Sequence, residues 1–152
     1  MSQLSDFADI RLPATGGKER SLGDFGGQAL VVYFYPRDNT PGCTRQGQGF
    51  RDLYDQFKAA NCEIVGVSRD SLASHEKFSA KESFPFPLLA DTEEALCRAF
   101  DVIKEKNMYG KKVMGIERST FLFGADGQLA QEWRKVKVPG HVEAVLEAVE
   151  NL

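Results

Sequence analysis

Long apolar runs are missing from this chain. No stretch approaches the roughly 20 consecutive apolar residues of a membrane-spanning helix. The start, Met1-Ser2-Gln3-Leu4-Ser5-Asp6, has no basic region leading into an apolar one. Neither a membrane association nor a leader is therefore expected. A dominant charge is missing too. The net charge is −3 with both signs interspersed, which leaves no basic field for nucleic acid. Cysteine is scarce. Three residues, at 43, 62 and 97, are too few and too scattered for a disulfide framework, a zinc site or a Cys-x-x-Cys exchange motif. No metal or cofactor is expected. Such a set suits a reducing, cytoplasmic compartment in which a thiol stays reactive. Repeats, low-complexity tracts and linkers are absent as well. The 152 residues are expected to form one domain, residues 1–152, with a substantial core.

What is present is a strand, a loop and a helix arranged around one thiol. Ala29 to Tyr35 is an unbroken apolar, β-branched and aromatic run, the pattern of a buried strand. Phe50, Leu53, Tyr54 and Phe57 fall at i, i+3, i+4 and i+7, one face of a helix. The loop between carries Pro36, Pro41 and Gly42. Cys43 therefore arrives in the first turn of a helix, where free N–H groups and the positive end of the helix dipole favour a thiolate over a thiol. Thr40 lies three residues upstream, where its hydroxyl can turn back toward the sulfur. The prolines stiffen the approach, and Gly42 lets backbone come close to a bound molecule.

The rest of the chain reads as a mixed α/β sheet covered by helices. Ile10–Pro13 and Glu19–Leu22 form an N-terminal β-hairpin about Thr15-Gly16-Gly17-Lys18. Cys62–Ser68 is a second buried strand, joined to the first by a right-handed parallel crossover. Leu72–Lys81 is helical with Ser71 as N-cap, and Leu88–Ala90 is short and extended. Asp91 caps a helix through Phe100, with Leu96, Phe100 and Ile103 on one face. Lys104–Lys112 is a polar, basic loop. Ser119–Phe123 and Gln128–Val136 are strands joined by Ala125-Asp126-Gly127. Pro139 opens the last helix, with Val142, Val145, Leu146 and Val149 at helical spacing. His75 and His141 lack partners at nucleophile–base spacing and are expected to be structural or solvated.

Pro36-x-x-x-Thr40-x-x-Cys43 resembles the peroxidatic signature of the peroxiredoxins. The longer string Phe34-Tyr35-Pro36-Arg37-Asp38-Asn39-Thr40-Pro41-Gly42-Cys43-Thr44 is similar to their bacterioferritin comigratory protein (peroxiredoxin Q) subfamily. Phe84-Pro85-Phe86-Pro87-Leu88-Leu89-Ala90-Asp91 and Gly115-Ile116-Glu117-Arg118-Ser119-Thr120-Phe121 extend the resemblance over nearly the whole chain. The resemblance implies a thioredoxin-like fold, a monomer and an antioxidant thiol peroxidase acting on hydrogen peroxide and organic hydroperoxides. In that role Cys43 is the nucleophile and Arg118 the cation that favours the thiolate and holds the peroxide by forked hydrogen bonds. Thr40 orients peroxide or sulfur, Pro36 shields the thiolate from water, and the N–H groups of Gly42 and Cys43 add fixed dipoles. Tyr33, Phe34 and Tyr35 are core, with one of the alternating side chains free to line the pocket.

The product of attack is a sulfenic acid that must be reduced. Many members carry a second cysteine five residues after the first, where this chain has Gln48. Others carry it in the next helix, here Leu72–Lys81, which contains none. The expected cycle uses one cysteine and an external thiol: glutathione, a thioredoxin or a glutaredoxin. A two-cysteine cycle through Cys62 or Cys97 is the alternative. A redox-sensing or holdase protein switched by Cys43 oxidation is the rival of another class. Gly47 and Gly49 lie inside the first helix, where each costs about 1 kcal/mol relative to alanine. They serve either to let the helix loosen for the reductant or to admit a close neighbour.

Overall fold

The computed structural model describes residues 3–152. Met1 and Ser2, where the leader reading begins, lie outside the described residues. In chain order the strands are β1 (Leu12–Ala14), β2 (Lys18–Arg20), β3 (Ala29–Phe34), β4 (Cys62–Ser68), β5 (Leu88–Ala90), β6 (Ile103–Met108), β7 (Lys111–Ile116), β8 (Ser119–Phe123) and β9 (Leu129–Trp133). The helices are α1 (Pro41–Asp52), α2 (Tyr54–Ala59), α3 (Leu72–Glu82), α4 (Ala95–Ala99) and α5 (His141–Glu150).

The apolar run at Ala29 becomes β3, every residue of which is buried. Burial on both faces requires a central place in the sheet, and the strand order is β2-β1-β5-β4-β3-β8-β9. β3 pairs in parallel with β4, and β4 with β5, whereas β8 runs antiparallel to β3 and β9 antiparallel to β8. The sheet is mixed, as the residue pattern requires. Side chains of β3 alternate between two cores. Leu30, Val32 and Phe34 join Leu96, Phe100, Phe121 and Phe123 on the α4 side. Val31 and Tyr33, with Tyr35 just beyond, join Phe50, Phe57, Phe78, Val142 and Val145 beneath α1, α2, α3 and α5. Each fully buried side chain of this size contributes roughly 1.5–3 kcal/mol.

The structure corrects several expectations. The N-terminal hairpin strands lie at 12–14 and 18–20, and Leu22 opens a 3-10 turn instead of ending a strand. The helix after Cys43 is interrupted at Leu53 and resumes as α2. α4 begins at Ala95, not directly after Asp91. Asp91 still caps it across a short turn, its carboxylate accepting from the amides of Leu96 (3.2 Å) and Cys97 (2.7 Å). α5 begins at His141, with Gly140 as its N-cap, so Pro139 lies in the turn before it. The loop expected at 104–112 is a two-stranded ribbon, β6 paired antiparallel with β7. Its tip is Tyr109-Gly110, both at positive φ, as a tight hairpin turn requires. Among the described residues no helix is long and apolar enough to cross a membrane.

Candidate active site

The site lies where β3 ends. The Tyr35 amide still bonds the Val67 carbonyl (3.1 Å), after which the chain leaves the sheet through Pro36 and Arg37. Thr40 is the N-cap of α1, extended at φ −91 and ψ 155, and Pro41 occupies the first turn, where its missing N–H costs nothing. The helical ladder starts with the Thr44 amide on the Thr40 carbonyl (2.8 Å). The amides of Gly42 and Cys43 stand ahead of that ladder and point out of the helix start. Cys43 is 2 % exposed.

Arg118 reaches the same point from the neighbouring strand, β8. Ser119 on β8 pairs with Phe34 on β3, so the residue before Ser119 emerges beside the end of β3. Its Nη2 donates to Cys43 Sγ at 3.3 Å and its Nη1 to Gln46 Oε1 at 2.6 Å. The guanidinium thus spans one turn of α1, residues i and i+3. It also packs on Gly42. A Cβ there would lie 3.3 Å from Nη2 and 4.0 Å from Val138 Cγ2. The Arg118 carbonyl accepts from the Val136 amide (3.0 Å), which ties the segment after β9 to the site.

Cys43, Arg118 and Gly42 are therefore brought together, with Thr40 at the helix cap and Pro36 half-buried at the end of β3. Thr40 departs from expectation in detail. Its hydroxyl donates to the Arg37 carbonyl (3.0 Å) and does not turn back onto the sulfur. A carbonyl only accepts, so the Thr40 oxygen keeps its lone pairs for an incoming donor. Gln46 was missed by sequence reasoning, although its i+3 spacing from Cys43 was the available signal. It is wholly buried, and among the described residues its Nε2 has no acceptor. Tyr33 is the aromatic residue of β3 that faces the thiol. Burial first, then the charge on Cys43, holds its phenol well above the ordinary range.

The glycines in α1 serve close packing. A Cβ on Gly47 would lie 2.4 Å from Phe84 Cζ, and one on Gly49 3.0 Å from Val142 Cγ2. Gln48 binds α3, its Nε2 donating to Glu82 Oε1 (2.8 Å), and Arg51 donates to the Glu82 carbonyl (2.9 Å).

The other thiols are far from the site. Cys62 pairs with Ala29 at the opposite end of β3. Five residue steps of strand, at about 3.3 Å each, already put ~16 Å between there and Phe34. Cys97 lies in the core on the other face of the sheet. A disulfide needs Cα atoms within about 7 Å. Burial pushes the Cys62 thiol up to about 12, and burial with Asp91 pushes Cys97 strongly upward. His141 donates to or accepts from Thr120 Oγ1 (2.8 Å), and burial with the Arg118 charge draws it down to about 4. It is therefore neutral near pH 7.

Among the described residues one group has donors spaced for a cation: ligand atoms of Asp38, Asp70 and His75 lie within 4.8 Å of one another. The His75 Nδ1 to Asp38 Oδ2 distance is 2.7 Å. Two tetrahedral zinc ligands at about 2.0–2.1 Å would stand roughly 3.3 Å apart. A proton, not a metal, fits that gap.

Residues 5–132 match the model of the AhpC/TSA family. The chain is 58% identical over 141 residues to the peroxiredoxin Bcp of Xanthomonas campestris pv. campestris, covering 93% of this chain and 88% of that one. It is 46% identical over 144 residues to the peroxiredoxin Bcp of Bacillus subtilis, covering 95% and 92%. Among solved structures, the Xanthomonas campestris bacterioferritin comigratory protein, described for its alkyl peroxide reduction, superposes with a TM-score of 0.93 at 54% identity. That match covers 99% of this chain and 96% of the other.

Proposed function

This chain belongs to the AhpC/TSA family as a peroxiredoxin of the Bcp type, with a thioredoxin-like fold, and from that premise we propose that Cys43 is its peroxidatic cysteine, working in a one-cysteine cycle. As a peroxiredoxin the protein is a thiol-dependent peroxidase. The observation that carries the assignment is the Arg118 guanidinium on Cys43 Sγ at 3.3 Å, at the open end of α1.

The thiolate attacks one oxygen of hydrogen peroxide or an organic hydroperoxide in line with the O–O bond. The S–O bond forms as the O–O bond breaks, and the departing oxygen leaves as water or alcohol after taking a proton. Charge develops on that oxygen, where Arg118 and the amides of Gly42 and Cys43 supply preorganised donors. The Thr40 oxygen accepts the peroxide O–H while its own hydroxyl stays on Arg37. Pro36 keeps water from the sulfur. The resulting sulfenic acid is attacked by an external thiol, releasing water and leaving a mixed disulfide. A second thiol then regenerates Cys43. Cys62 and Cys97 take no part, because both are buried and remote. The protein acts as a monomer in the reducing cytoplasm.

The test is steady-state peroxide consumption with glutathione, a thioredoxin and a glutaredoxin in parallel. Cys43→Ser abolishes turnover, and the Cys62→Ser and Cys97→Ser variants keep it. Loss of turnover in either of the latter two, with the fold intact, defeats the one-cysteine reading.

A further inference from the structure

The loop that delivers Cys43 is anchored by a buried network which the reaction itself does not use. Asp38 and His75 are 7 % and 0 % exposed. His75 Nε2 faces the Leu89 carbonyl at 2.9 Å, and its Nδ1 faces Asp38 Oδ2 at 2.7 Å. A carbonyl only accepts, so Nε2 carries a hydrogen. The Nδ1 contact then needs a second proton, either on the ring or on the carboxyl. Asp38 is held from two further sides: Tyr35 OH donates to Oδ1 (2.7 Å) and Ser74 OH to Oδ2 (2.8 Å). Tyr35 is held well above its ordinary range, by burial first and then by Tyr33 and Asp38, so it keeps its proton and donates. Whichever partner carries the shared proton, it bonds the His75 ring to the Asp38 carboxyl.

Every element around this pair grips the same loop. From the end of β4, Asp70 Oδ2 accepts the Asp38 amide (2.9 Å) and the Ser68 hydroxyl. From α3, Lys81 donates to Asn39 Oδ1 (2.9 Å). Asn39 holds a left-handed backbone, φ 62, which reverses the chain directly before Thr40. The charged and titratable groups facing the ring are thus Asp38, Asp70 and Tyr35, and α3 supplies Ser74 from its own turn. Release of Asp38 would free the left-handed turn and, with it, Thr40 and the cap of α1.

We propose that His75 is a positioning residue for the peroxidase reaction: bonded to Asp38 on one side and to the Leu89 carbonyl on the other, it fixes the loop that sets Thr40 and Cys43 against the peroxide. This rests on Cys43 being the peroxidatic residue. A Cys43→Ser variant that still consumed peroxide would sink that assignment separately.

The experiment compares two reactions of the reduced protein: the second-order rate with hydrogen peroxide, and alkylation of Cys43 by iodoacetamide, which needs the thiolate but no oriented peroxide. In His75→Ala the peroxide rate falls about 10- to 100-fold, the scale of a slightly misplaced reactant, while alkylation changes less than about threefold. A parallel change in both rates, or none in either, overturns the proposal. Where alanine does not fold, His75→Gln keeps bulk and one donor, and the same split is expected. Asp38→Asn can hold a neutral ring through its amide N–H while keeping the Tyr35 bond, so its peroxide rate stays within about threefold of wild type. A loss there as large as in His75→Ala also overturns the proposal.

Discussion

Gly47→Ala sets two effects of opposite sign against each other. If glycine is there to loosen α1, alanine stabilises the helix by about 1 kcal/mol. If it is there to admit Phe84, alanine destabilises. The added Cβ would lie 2.4 Å from Cζ and 2.9 Å from Cε1 of that ring, against the 3.5–4.0 Å or so of an ordinary carbon contact. Phe84 cannot easily yield, because it stacks on Phe86 at 5.1 Å and meets Phe78 edge-on at 5.0 Å. Overpacking of this kind costs roughly 1–3 kcal/mol. Subtracting the propensity gain leaves a net loss of about 1 kcal/mol, with a range of ~0–2. For a domain of this size that lowers Tm by about 2–4 °C. Thermal unfolding followed by circular dichroism reads it directly. The sign inverts in the Phe84→Leu background, where the shorter side chain leaves room and alanine then raises Tm. A rise in Tm for Gly47→Ala alone would refute the packing account and restore the loosening one.

Gln46→Leu removes the acceptor that aims Arg118. A hydrogen bond to a charged group is worth about 1.5–3 kcal/mol, so kcat/KM for peroxide should fall roughly 10- to 150-fold, with the melting temperature little changed because a buried unpaired Nε2 goes with it. A loss under about threefold would show that Arg118 needs no guide. The depressed His141 gives a pH signature. Its folded value, about 4, lies below the ordinary 6.5, so between those limits the unfolded chain binds the extra proton. Stability is therefore complete above pH 6.5 and declines toward pH 4, by up to roughly 3 kcal/mol. Urea titrations of wild type and His141→Gln should diverge in that window, and parallel curves would contradict it. In the native protein at pH 8, iodoacetamide should label Cys43 well before Cys62 or Cys97. Equal labelling rates would mean that the two structural thiols open readily to solvent.

The sequence made the strand–loop–helix passage legible because β3 is apolar throughout and Cys43 falls at a proline-marked helix start. Arg118 was legible through its motif and its place before an apolar strand. The ribbon of β6 and β7 was not, since only Ile103 and the pair Gly115 and Ile116 are buried in it, and cross-strand pairing rather than periodicity holds it. Tyr109-Gly110 was the one signal present. The Asp91 cap, the Gln46 contact and the His75–Asp38 pair depend on side-chain hydrogen bonds that composition does not encode. Residues 38 and 75 meet only because β4 and α3 return the chain to the end of β3. Gly47 and Gly49 could not be assigned without knowing that Phe84 and Val142 lie against them.

The claim that Cys43 works alone is tested most directly by mass spectrometry of the reduced protein after one equivalent of hydrogen peroxide. The predicted product is a single oxygen on Cys43, trapped by dimedone, with Cys62 and Cys97 still free thiols. A disulfide linking Cys43 to Cys62 or Cys97 within one chain would contradict it.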